Sequence, residues 1–275
     1  MRRGSEAAAV VPLPDDGGED TALAEAPPLS PFPVARWWGS HVREGRWQAE
    51  MARLLVDPTY RGEGVPHGNG RPVIGIPGFL AGDASLGLMR RWLKKIGYTA
   101  YPSGIAFNVD CSDQALNALE ERLVRAHETS GERVALIGHS RGGHFVKALS
   151  TRHPDRVACA ISMGAGLDEP FAISRPTRAA VAAVRTAHAR RDPVGRKACL
   201  TTTCDCDFTR DYSAPFPAEV PLTSIYSRGD GVVWWEACVV PYAENVEVEG
   251  SHIGLASNRK SFKVVAEALH AAVDR

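Results

Sequence analysis

Val134-Ala135-Leu136-Ile137 runs directly into Gly138-His139-Ser140-Arg141-Gly142, and a helical pattern continues from Gly142 to Arg152. A short apolar run that ends on glycine reads as a buried strand, so this Gly-x-Ser-x-Gly pentapeptide falls on a strand-to-helix turn. Such a turn needs small residues around the serine, and Gly143 extends the run of them. The pentapeptide is weak evidence alone; its position between an apolar strand and a helix gives it weight. A buried strand that feeds a helix directly is the building unit of a parallel sheet.

The rest of the chain repeats that unit. From Arg71 onward, strands are predicted at 72–76, 98–101, 133–137, 157–163, 222–226 and 246–248, with helices over about 84–96, 112–129, 142–152 and 258–273. The alternation predicts one α/β domain with a mostly parallel central sheet flanked by helices. Between Gly164 and Phe216 the pattern gives way to scattered Pro, Thr, Arg and Cys, with one alanine-rich helical stretch at 177–190, which we read as a cap or lid insertion. Residues 1–35 hold too little apolar side chain to offset the entropy of ordering and read as a tail. Over 36–56, Trp37, Trp38, Val42, Trp47, Met51, Leu54 and Leu55 fall near helical spacing. They predict an amphipathic helix packed on the body, with a pocket lining as the other reading of the tryptophans. The single domain thus spans 36–275, without internal repeats.

Charge narrows the partners. Lys+Arg and Asp+Glu are 32 each, so no broad field favours nucleic acid or an anionic membrane. No apolar run approaches the roughly 18 residues of a spanning helix. The start, Met1-Arg2-Arg3, has the charge of an export signal, but Pro12 and Pro14 break the apolar run at 7–11, so a cytoplasmic location is the expectation. Of the six cysteines, Cys111, Cys159 and Cys238 stand apart while Cys199, Cys204 and Cys206 cluster. The cluster lacks a C-x-x-C pair and a nearby histidine for zinc, which leaves plain structural cysteines or a disulfide bracing the lid. Neither metal nor organic cofactor is expected, and oligomeric state is not encoded in any feature of the sequence.

A serine hydroxyl becomes a nucleophile when a histidine takes its proton and a carboxylate orients that histidine. His252, in Ser251-His252-Ile253-Gly254, follows the last strand and precedes the closing helix, where a late loop would carry a base. His41 and His67 precede the sheet, His139 and His144 sit close to the serine in the chain, and His127, His153, His188 and His270 fall on helices. Asp230, in Ser227-Arg228-Gly229-Asp230-Gly231, follows the strand at 222–226 and lies between Ser140 and His252 in chain order, as a strand-end triad requires. Asp205 and Asp207 are its rivals, inside the irregular insertion. Backbone N–H donors for an oxyanion are expected at Arg141, after the serine, and at Phe79 in Ile76-Pro77-Gly78-Phe79, with Leu80 as the alternative to Phe79.

On these motifs, over roughly Arg71 to Arg275, the chain resembles the α/β-hydrolase superfamily, and within it bacterial lipase- and esterase-type serine hydrolases. Ser227 to Val233 resembles the acid loop of such proteins, and Gly250 to Gly254 their histidine loop. The resemblance implies the α/β-hydrolase fold with a lid, Ser140, Asp230 and His252 as a triad, and hydrolysis of a hydrophobic or acyl ester through an acyl-enzyme. One departure stands out: many lipases carry His-Gly after the early strand, where this chain has Pro77-Gly78. The same triad serves thioesterases and acyltransferases, and a ligand-binding protein on a hydrolase scaffold is the non-enzymatic alternative.

Overall fold

A computed structural model describes residues 44–191 and 205–272. The expected tail at 1–35, Trp37, Trp38, Val42, Cys199 and Cys204 lie outside the described residues.

Helices α1 (Trp47–Val56) and α2 (Pro58–Arg61) lead into β1 (Pro72–Ile76), α3 (Gly87–Lys95), β2 (Thr99–Pro102), α4 (Ser112–Ser130) and β3 (Val134–His139). Then come α5 (Arg141–Arg152), β4 (Val157–Met163), α6 (Arg175–Arg191), α7 (Asp207–Ser213), β5 (Leu222–Tyr226), β6 (Glu244–Glu247) and α8 (Arg259–Ala271). Six strands form one sheet in the order β2-β1-β3-β4-β5-β6, every neighbouring pair parallel. The predicted fold class is therefore the observed one; the predicted elements differ by a few residues at their ends, and α7 is a second helix inside the stretch that reads as irregular outside 177–190.

The pleat divides the core in two. Val73, Ala135, Ile137 and Ile161 face Trp92 of α3 and Phe262 of α8, whose rings stand 4.6 Å apart. Ile74, Ile76, Leu136 and Ala160 face Leu116, Leu119 and Leu123 of α4 and Phe145 of α5. Strand β3, at the centre, is buried along its whole length, which is why it reads as a continuous apolar run. Helix α4 owes its face to leucines at i, i+3 and i+7, and ends where Gly131 at φ 69° donates its N–H to the His127 carbonyl at 2.8 Å.

Helix α5 packs so closely on β1 that a side-chain carbon on Gly142 would fall on the Ile76 carbonyl. That contact explains the glycine after Arg141 better than any demand of the serine. Helix α1 departs from its expected face. Leu54 is buried, but Leu55 and Val56 are exposed, and the side chains turned inward with Leu54 are the carboxylates of Glu44, just ahead of the helix, and Glu50. Among the described residues no helix is long and apolar enough to cross a membrane.

Candidate active site

Ser140 occupies the turn between β3 and α5 at φ 52° and ψ −125°. A non-glycine residue there stores roughly 1–3 kcal/mol of strain, which the surrounding structure must hold. The Ser140 N–H donates to the Met163 carbonyl at 2.8 Å, and the Gly143 N–H donates to the Ser140 carbonyl at 2.8 Å. The turn is thereby tied to the end of β4 and to the first turn of α5.

Asp230 and His252 meet across two loops at the same end of the sheet. His252 Nδ1 lies 2.7 Å from Asp230 Oδ2, with both side chains almost wholly buried. The other carboxylate oxygen, Oδ1, accepts the N–H groups of Val232 and Val233 at 2.8 Å each. An ionised carboxylate only accepts, so Nδ1 carries the proton and Nε2 is left with its lone pair. The backbone of His252 is held too: its N–H donates to Glu44 Oε1 at 2.9 Å, and its carbonyl accepts from His139 Nε2 at 2.9 Å.

His139 directly precedes Ser140, and its ring centroid is 4.9 Å from that of His252. A side-chain carbon on Gly164, the residue after Met163, would stand 3.1 Å from His252 Nδ1 and 3.2 Å from Asp230 Oδ2. Ser140, Asp230 and His252 are therefore gathered at one place, although no hydrogen bond joins Ser140 to His252. The rivals are elsewhere. Asp207 starts α7, paired with Arg210 and more than half exposed, and Asp205 is exposed.

Phe79 lines the same cavity as Ser140 and Arg141. Leu80, the alternative donor, has its N–H committed to the Asn108 carbonyl at 3.2 Å. The loop that carries Phe79 is braced by Asn108, whose Nδ2 donates to the Pro77 carbonyl at 2.8 Å. Arg141 in turn grips Asn108 Oδ1 at 2.8 Å and the Asp110 carbonyl at 2.7 Å. Thus the arginine of the pentapeptide fixes the Pro77-Gly78 loop from beneath.

The cavity holds about 170 Å³ beside Ser140. Phe171, Ile173, Val181 and Phe208 of the expected lid form much of its wall, with Val233 from the acid loop and His144 from α5. Residues from both described parts of that stretch, between 165 and 181 and between 208 and 213, thus line the cavity that also holds Ser140. Cys206 is a free thiol beside Thr209 Oγ1. Among the described residues there is no group of His, Cys, Asp and Glu arranged to hold a metal.

Burial and charge set opposite protonation habits for the three histidines. His252 is pulled down by desolvation, but the charge and hydrogen bond of Asp230, with the charge of Glu44, overcome this and raise it above the ordinary 6.5. Desolvation, then the charge of His252, lowers His139 to about 4. Desolvation, then Arg141 and Lys147, lowers His144 to about 3. If neutral His252 is the base, the acid limb of kcat/KM is expected above pH 6.5 rather than at it. A pH–rate profile with its limb below 6.5 would contradict that role. Neutral His139 adds stability that is fully present above pH 6.5 and drains away as pH falls towards 4, so the melting temperature should decline across that lower window.

The sequence reading missed Glu44, Glu50, His139 and Asn108. His139 was set aside for its closeness to Ser140 in the chain, yet that closeness is what puts its ring against His252. The glutamates pass in the sequence as charges between the apolar positions of the predicted helix.

Comparison with known proteins agrees with the architecture. A family profile described as alpha/beta hydrolase fold matches residues 111–186. No curated protein matches the chain. Among solved structures, Bacillus licheniformis lipase BlEst2 in its mature form is similar at 17% identity and a TM-score of 0.53, over 74% of this chain and 94% of that one. The pyrethroid hydrolase PytH is similar at 19% identity and a TM-score of 0.53, over 74% and 99%. A soluble variant of monoglyceride lipase from Saccharomyces cerevisiae gives 15% identity and a TM-score of 0.50, over 78% and 88%. The chain has the α/β-hydrolase fold, as its resemblance to that superfamily implies.

Proposed function

We propose that the protein hydrolyses carboxylic esters with a hydrophobic acyl or alcohol part, through an acyl-enzyme on Ser140. The observation that carries this reading is the state of His252: ring Nδ1, backbone N–H and backbone carbonyl are all engaged, which leaves Nε2, and the ring stands 4.9 Å from that of His139, the residue before Ser140. The lipases and the pyrethroid hydrolase that share the fold support ester chemistry without fixing the substrate.

In this mechanism Ser140 Oγ attacks the ester carbonyl while its proton passes to His252 Nε2. The negative charge on the carbonyl oxygen is met by the backbone N–H groups of Phe79 and Arg141. The tetrahedral species collapses, the C–O bond to the alcohol breaks, and His252 returns the proton to the departing alkoxide. Water then gives its proton to His252 and attacks the acyl carbon, and Ser140 leaves with that proton as the acid is released. Asp230 keeps the ring in the Nδ1–H form and offsets the imidazolium charge in each half. No step draws on a metal or organic cofactor, and an apolar cavity suits an uncharged substrate.

An alkyl fluorophosphonate tests the nucleophile directly. Peptide mass spectrometry should find the phosphonyl adduct on Ser140, and protection by a competing aryl ester should slow its formation. An adduct on another serine, or none, overturns the reading. Product analysis with added alcohols or amines separates hydrolysis from acyl transfer.

A further inference from the structure

One carboxylate joins the two loops that bear Asp230 and His252. Glu44 Oε1 accepts the N–H groups of Gly231 and His252, both at 2.9 Å, and Oε2 accepts the Ile253 N–H at 3.0 Å. Glu44 is only 8% exposed. Burying a carboxylate costs several kcal/mol unless its lone pairs are met, and here backbone donors from two separate loops meet them. Those loops lie 187 to 209 positions further along the chain, so the contact is a property of the tertiary fold. Glu50, the other buried glutamate of this segment, is different: it accepts the N–H and hydroxyl of Ser251 and pairs with Arg46 at the head of its own helix, and none of these partners belongs to the acid loop.

We propose that Glu44 is a positioning residue for the reaction, fixing the acid loop and the histidine loop to each other so that the Asp230–His252 bond keeps its geometry through the cycle. The proposal rests on the ester-hydrolase reading. Its chemical logic is that Asp230 and His252 sit on loops with independent origins, after β5 and after β6. Ser227 Oγ, which donates to the Gly250 carbonyl at 2.7 Å, links their bases, whereas Glu44 links the residues next to the reacting groups. Among the described residues, the charged or titratable groups facing His252 are Asp230 from the acid loop, His139 from β3 and Glu44 from the segment ahead of α1, with Glu50 one residue away on Ser251. Of these, Glu44 adds to Asp230 in favouring the protonated ring.

Glu44→Gln keeps the shape, but it removes the charge and turns an NH2 group towards the N–H of its partner at one of the two oxygens. In the folded variant kcat should fall on the order of 10- to 100-fold, as a small misplacement of a base does, with KM within about twofold. The acid limb should move to lower pH, and the His252 ring should titrate at lower pH by 15N NMR, assigned against His252→Ala. A purely structural role would lower the melting temperature and leave kcat and the limb in place; that result overturns the proposal. So would an equal shift of the limb in Glu50→Gln. If Glu44→Gln does not fold, Glu44→Asp keeps the charge but is too short to span both loops. It should lose kcat with little movement of the limb, and a wild-type kcat overturns the proposal. The NMR titration needs no turnover. A wild type that neither turns over esters nor labels at Ser140 condemns the hydrolase reading, whereas unshifted His252 titration in an active Glu44→Gln condemns only the role of Glu44.

Discussion

Ser140→Ala is expected to abolish turnover of aryl esters, with kcat/KM down by roughly four to six orders of magnitude. The loss should be that large because the remaining groups cannot substitute. His252 is held in place by bonds that do not involve Ser140, and none of those bonds creates a nucleophile. Stability should change little. The Ser140 hydroxyl anchors nothing in the turn, the N–H bond to Met163 survives the change, and alanine carries the same unfavourable φ as serine. The measurement is a steady-state rate on aryl esters of graded acyl length, beside a thermal melt of the same sample. Undiminished turnover by a folded Ser140→Ala would place the chemistry elsewhere.

Asp230→Asn should cost about 10⁴ in kcat, through the tautomer rather than through the fold. The amide oxygen can stay at the position of Oδ1 and keep the Val232 and Val233 N–H bonds. That leaves the NH2 facing His252 Nδ1, which must then accept. The ring proton moves to Nε2, the atom that should receive the proton of Ser140. Loss of the carboxylate also removes the chief influence that raises His252, so residual activity should extend to lower pH. Asp207→Asn is the contrast, since Asp207 pairs with Arg210 at the surface and touches neither loop. Near-wild-type turnover by Asp230→Asn, or a comparable loss in Asp207→Asn, would reverse the assignment. KM should change far less than kcat in the true acid variant.

The sheet was legible because a parallel strand buried on both faces leaves a simple trace. Val134 to Ile137 is apolar throughout, Val157 to Met163 is so but for the buried Ser162, and both stop at glycine. Chain order then brought Asp230 and His252 to the same end of the sheet as Ser140. What stayed hidden has a common cause. Glu44 and Glu50 satisfy backbone N–H groups of distant loops, and a backbone donor has no letter in the sequence. Glu50 lies one helical turn before Leu54 on the same side of the helix, yet a glutamate reads as a solvated charge, while Leu55 reads as apolar and is exposed. The brace on the Pro77-Gly78 loop was hidden likewise, because Asn108 and Arg141 act through the carbonyls of Pro77 and Asp110.

The acid loop does more than present Asp230. Ile173, just ahead of α6 in the cavity wall, pairs with Val233 in an isolated antiparallel bridge, and the Ser174 and Trp234 N–H groups donate to the Val232 and Ala172 carbonyls at 2.7 and 2.9 Å. Val232 and Val233 are also the two residues whose N–H groups hold Asp230 Oδ1. The wall of the cavity and the Asp230 carboxylate are thus tied to the same two residues. Under the proposed ester hydrolysis, a substrate broad enough to displace Ile173 would act on Asp230 through the residues that hold it. Oversized esters should therefore be penalised in the speed of the chemical step as well as in binding, a form of size discrimination that needs no separate gate.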